Sequence, residues 1–70
     1  MKLRDFTEPE LEKFRKECNF SDLERQCFEL KARDCTNVEL AMTLHISEST
    51  ASVIMRRVRN KIARVLDWEV

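Results

Sequence analysis

Between Thr36 and Ser47 the chain has room for one short helix and one corner, and for nothing else. Thr36 and Glu39 form a capping-box pair, in which a hydroxyl accepts from the third helical N–H and a carboxylate reaches back to the cap's own N–H. Ser47, eleven residues on, offers a second helix-capping hydroxyl. Leu44-His45-Ile46 between them is too short to be anything but a turn. The helix that begins after Ser47 turns basic, with Arg56, Arg57, Arg59, Lys61 and Arg64 and no acid from Arg56 to Arg64. A short helix, a tight turn and a basic helix make a helix-turn-helix, whose second helix can lie in the major groove of DNA.

The same capping logic divides the rest of the chain. Thr7-Glu-Pro-Glu10 is a capping box with Pro9 in the first turn, where its missing N–H costs nothing. Phe6 before that cap and Leu11 after it fit a hydrophobic staple. Ser21-Asp-Leu-Glu24 is another box. These signals predict helices at about 8–18, 22–33, 37–44 and 48–66, with the helix-turn-helix unit at 36–59. No strand pattern, repeat, low-complexity segment or linker interrupts them. The expected fold is all-α, one four-helix domain over residues 1–70 with a long C-terminal recognition helix.

Each predicted helix carries an apolar stripe at helical spacing. The first offers Leu11, Phe14 and Cys18; the second offers Leu23, Cys27, Phe28 and Leu30, with Phe20 just before it. The third offers Leu40, Ala41 and Leu44, with Ile46 plugging the core from the turn. The fourth offers Ala51, Ile54, Met55, Val58, Ile62 and Val65. Ala41 is small enough to let the third and fourth helices approach closely. The chain has no glycine, although helices usually leave through a left-handed glycine. Asp34 and His45 stand at the two sharp corners, and both residue types tolerate positive φ. Left-handed geometry is therefore expected at both.

The formal net charge is zero, with 13 basic and 13 acidic residues, but the charges are unevenly placed. Residues 1–34 hold eight basic and nine acidic side chains. A basic field confined to one helix can meet phosphate while an acidic first half maintains solubility. No apolar run is long enough to span a membrane and no signal-peptide pattern is present. Three cysteines without paired spacing argue against a disulfide framework and for a cytoplasmic chain with reduced thiols.

Stepping ~100° per residue along the fourth helix separates its sides. With Ala51, Ile54, Val58 and Ile62 inward, the outward stripe is Ser49, Ser52, Val53, Arg56 and Asn60. Arg56 can bond guanine O6 and N7 together, serine hydroxyls suit several base edges, and Val53 can meet a thymine methyl. Arg57, Arg59, Lys61 and Arg64 project to the sides, where phosphates lie. Thr50 and the helix start can also donate to phosphate.

Phe20-Ser-Asp-Leu-Glu24, Cys27-Phe28, Ala32, Thr36, Glu39-Leu-Ala41, Leu44, Ile46-Ser47, Thr50-Ala51, Val58 and Lys61-Ile62 align without a gap to a known pattern. Over residues 20–62 the chain resembles the LuxR-type helix-turn-helix, a pattern shared in outline by region 4 of bacterial sigma factors. The resemblance implies a transcription-associated DNA-binding domain, with direct contacts from the positions of Ser52, Val53 and Arg56. A lysine is common in that family where Ser52 stands, and Asp34 and His45 replace its two glycines. The LuxR-type domain usually adds a separate dimerisation helix. Here the fourth helix runs on instead, as in sigma region 4. No other sigma region is present, so a complete initiation factor is not expected.

Other chemistries fit poorly. Cys18, Cys27, Cys35 and His45 lack any C-x-x-C element for a zinc site, and cysteines on apolar stripes are ordinary core residues. The lone histidine sits in a tight turn, without a nucleophile elbow or a glycine-built oxyanion hole. Carboxylate pairs such as Glu8 and Glu12 suit helix dipoles and solubility. No enzyme activity, cofactor or metal is expected. The expected partner is double-stranded DNA, and no membrane. The rival function is a helical adaptor that docks on RNA polymerase or a regulatory protein with little DNA affinity of its own. Leu3, Leu66, Trp68 and Val70, apolar residues near the two ends, either pad the core or form a two-fold contact of a homodimer.

Overall fold

The computed structural model describes residues 3–67, apart from the side chains of Arg4 and Asp67. After a 3₁₀ turn at Leu3–Asp5 come four helices: α1 (Glu8–Glu17), α2 (Asp22–Ala32), α3 (Asn37–Leu44) and α4 (Glu48–Asp67). No strand occurs among the described residues, and the fold is all-α. α1 and α2 each end one residue earlier than expected, and α4 ends one later.

The caps explain why the helices start where they do. At α1 the Glu10 carboxylate accepts from both the N–H and the hydroxyl of Thr7. At α2 and α3 the exchange is reciprocal. Ser21 N–H donates to Glu24 and Glu24 N–H to Ser21 Oγ, and Thr36 and Glu39 repeat the pattern. α4 has no acid at its third position. Thr50 stands there, donating its N–H to Ser47 Oγ at 3.1 Å and accepting the Ser47 hydroxyl at 2.9 Å.

The corners are built without glycine. Asp34 (φ 68°) and His45 (φ 57°, ψ 45°) are both left-handed. In each case the next N–H reaches back to close the helix: Cys35 N–H to Leu30 O, and Ile46 N–H to Ala41 O. These six-to-one bonds satisfy carbonyls that a helix end would otherwise leave bare. A third left-handed residue, Asn19 (φ 53°), turns the chain out of α1.

α4 is the spine, packed most extensively on α2 and α3 and more lightly on α1. Its Ala51, Ile54, Met55, Val58, Ile62 and Val65 are buried with Phe14, Phe28, Cys27 and Leu40. Leu3 also enters this core, so at that end the padding role holds. Leu66 stays exposed, while Trp68 and Val70 lie outside the described residues. Phe6 stands edge-on to Phe14 at 5.0 Å, and Phe20 lies against Phe28 at the same distance. One expectation fails: Leu23 is not core but 37% exposed. Phe20, the residue that follows the Asn19 corner, packs against the core in its stead.

Arg15 fastens α1 to α2. Its guanidinium donates through two nitrogens to the Glu29 carboxylate, at 2.7 and 2.9 Å, and through a third to Glu12. It also lies over the Phe28 ring, 5.8 Å from the centroid. Such a planar, two-pronged contact fixes orientation as well as charge, and it holds the Glu29 carboxyl below the usual carboxylate range.

Candidate nucleic-acid interface

The buried stripe of α4 dictates what its other side presents. With Ala51, Ile54, Val58 and Ile62 inward, the side chains of Ser49, Ser52, Val53, Arg56 and Asn60 are exposed. Thr50, Arg57, Arg59 and Arg64 are exposed as well. Among the described residues Arg56, Arg57, Arg59 and Arg64 have no ion-pair partner. Their charges are thus free to meet an external anion.

Lys61, expected with them as a phosphate contact, differs from its neighbours. It is half-buried, and its ammonium donates to Glu24 Oε1 at 2.5 Å and to the Asn19 carbonyl at 3.2 Å. Glu24 is 7% exposed and holds the Ser21 N–H with the same oxygen. The Lys61 ammonium, followed by the Ser21 N–H, keeps the Glu24 carboxyl below its ordinary range against the opposing effect of burial. One carboxylate therefore caps α2 and anchors α4, and the lysine points inward. Sequence periodicity placed Glu24 in a capping box and stopped there. A contact between residues 37 apart leaves no trace in the spacing of either helix.

Two further residues lie beside this side of α4. Asn37, the first residue of α3, donates its amide Nδ2 to Ser52 Oγ at 3.2 Å. Leu23 lines a shallow groove with Ser49, Thr50, Val53 and Arg57, which gives its exposed side chain a place beside the start of α4. Neither shows in a single-helix pattern. Leu23 matched the period of α2 only because the stripe there is broad.

Cys18 and Cys27 are buried in the core. Burial pushes the Cys18 thiol up to about 11 and raises that of Cys27 as well. Among the described residues no group of three or more His, Cys, Asp or Glu could hold a metal ion.

Four helices, a left-handed corner at His45 and an exposed cationic helix define the class: a helix-turn-helix domain. The chain belongs to the luxR family of bacterial regulatory proteins, whose family model matches residues 19–64. No curated protein and no solved structure matches it. The family is one of DNA-binding regulators and not of enzymes, so DNA is the partner that membership assigns. No helix among the described residues is long and apolar enough to cross a membrane.

Proposed function

We propose that this chain is a sequence-specific transcriptional regulator that inserts α4 into the major groove of bacterial DNA in the cytoplasm. The observation that supports it best is the sorting of α4 into a buried apolar side and an opposite side of small polar residues and unpaired arginines. From Ser49 to Asn60 the helix advances ~16 Å, which spans several base steps. Ser49, Ser52, Val53, Arg56 and Asn60 face base edges, and Thr50, Arg57, Arg59 and Arg64 face phosphates. Lys61 leaves the phosphate set, because its charge is already compensated by Glu24.

The test is selection of bound DNA from a random pool, followed by two variants. Arg56→Ala should relax preference at one or two base pairs, while Arg59→Ala should weaken all sequences alike. Equal loss on every sequence from both would refute the assigned roles. One observation favours a second reading, an adaptor docking on RNA polymerase or a regulator. Val38 and Met42, one turn apart on α3, are 47% and 73% exposed. A salt series separates the two: binding through three arginine–phosphate contacts gives a log–log slope of roughly −3, whereas apolar docking is nearly flat.

A further inference from the structure

We infer that Asn37, which lies outside the reading face, sets the hydrogen-bonding polarity of Ser52 and thereby the bases that this serine accepts. The inference rests on Ser52 being a base contact. Asn37 Nδ2 donates to Ser52 Oγ across the α3–α4 junction, and Asn37 Oδ1 is buried without a hydrogen-bond partner. The opposite amide orientation would bury an NH₂ group with two unpaired N–H bonds. Orphaned donors are rarer in folded proteins than under-satisfied carbonyls, so the orientation with Nδ2 toward Ser52 is the better one.

A serine hydroxyl has one proton and two acceptor lone pairs. With Asn37 donating into one lone pair, the proton points away from Asn37 and is available to a base that enters the groove. In the major groove, guanine offers N7 and O6, thymine O4 and adenine N7 as acceptors, whereas cytosine offers only its N4 amino donor. Ser52 held by Asn37 thus keeps its proton for guanine, thymine or adenine N7 and only one lone pair for an amino group. That tilts its preference toward the acceptor-only edges of guanine and thymine and away from cytosine. Asn37→Asp reverses the arrangement. A carboxylate only accepts, so it draws the Ser52 proton inward and leaves lone pairs facing the groove, which suit the amino groups of cytosine or adenine. An acidic residue in the first turn of α3 is compatible with the helix dipole. Its added negative charge weakens binding to all sequences alike and leaves preference to be read.

The experiment compares in vitro selections from a random DNA pool with wild type, Ser52→Ala, Asn37→Asp and Asn37→Ala, each checked for helical content by circular dichroism. Ser52→Ala identifies the base position that Ser52 reads, by flattening it. At that position wild type should enrich guanine or thymine. Asn37→Asp should shift the enrichment toward cytosine or adenine by about three- to tenfold, the range of one hydrogen bond, with other positions unchanged. Asn37→Ala should weaken the guanine or thymine preference without reversing it, and it carries the test if the Asp variant does not fold. Unchanged preference in both Asn37 variants, with Ser52→Ala still flattening a position, overturns the role of Asn37 and leaves base reading by Ser52 standing. No flattened position in Ser52→Ala overturns both.

Discussion

Lys61→Met separates a lysine that holds the fold from one that holds DNA. Methionine keeps most of the apolar stem of Lys61 and removes the ammonium. The Glu24 carboxylate, 7% exposed, then loses a charged donor at 2.5 Å but keeps the Ser21 N–H. Stripping one partner from a fully buried ion pair costs ~3–5 kcal/mol, and a hydrogen bond to a charged group contributes ~1.5–3 kcal/mol. Lys61 is only half-buried and Glu24 retains its cap bond, so the expected loss is near the lower figure, about 2 kcal/mol. For a domain of this size that lowers the melting temperature by roughly 8–16 °C. Glu24→Gln/Lys61→Met should recover part of it, because no buried charge is left without its partner. The DNA assay must give the complementary result. At a temperature where the variant is folded, the log–log salt slope should match wild type, whereas Arg59→Met should reduce its magnitude by about 0.9. A Lys61→Met protein that melts like wild type and loses as much salt slope as Arg59→Met would refute the inward assignment.

Three other outcomes follow from the geometry. His45→Gly should stabilise the turn: a left-handed L-residue costs ~1–2 kcal/mol, against ~0.5–1 kcal/mol for the extra freedom of glycine. The net of about 0.5–1 kcal/mol is readable as a rise in urea midpoint, and Asn19→Gly should gain less, because the short polar side chain of asparagine can hydrogen-bond locally in that region. Thermal melts should be flat between about pH 5 and 8 and fall below that window. Glu24 and Glu29 titrate lower in the folded chain than the ordinary 4.5, so their stabilisation is complete above that value and is lost as pH drops through the folded values. Glu24→Gln should shrink that acid dependence. Native protein at pH 8 should react quickly with a thiol reagent at Cys35, which is half-buried, and slowly at the buried Cys18 and Cys27. Three equally fast thiols would contradict the packing.

Helix starts were legible because capping is local: Thr7, Ser21, Thr36 and Ser47 each act within three residues. The inner side of α4 was legible because one helix sustains one period over many turns. The two corners at Asp34 and His45 followed from the absence of glycine combined with a demand for positive φ. The same rule applies to Asn19, where no dense turn signal drew it out. What stayed hidden is what joins one helix to another. Leu23 fits the stripe of α2 as well as Phe28 does, and only the path of the chain after Asn19 decides which of them is covered. Lys61 with Glu24, Arg15 with Glu29, and Asn37 with Ser52 all pair across 14 to 37 residues. Periodicity carries no information about them.

These same pairs resolve the apparent conflict between a neutral chain and a nucleic-acid partner. Acids could cancel the basic helix only by pairing with it, and among the described residues the carboxylate ion-paired with a cation of α4 is Glu24, which takes Lys61. Glu8, Glu12, Glu17 and Glu29 are engaged by Arg15 and Lys13, on α1 and between α1 and α2. The acidic half is therefore neutralised largely within itself, and Arg56, Arg57, Arg59 and Arg64 keep their charge facing outward. At a Debye length of ~8 Å in physiological salt, phosphates close to α4 interact with those four arginines far more strongly than with the sum over the chain. Net charge sets solubility here; the field that matters to DNA is local to one side of one helix.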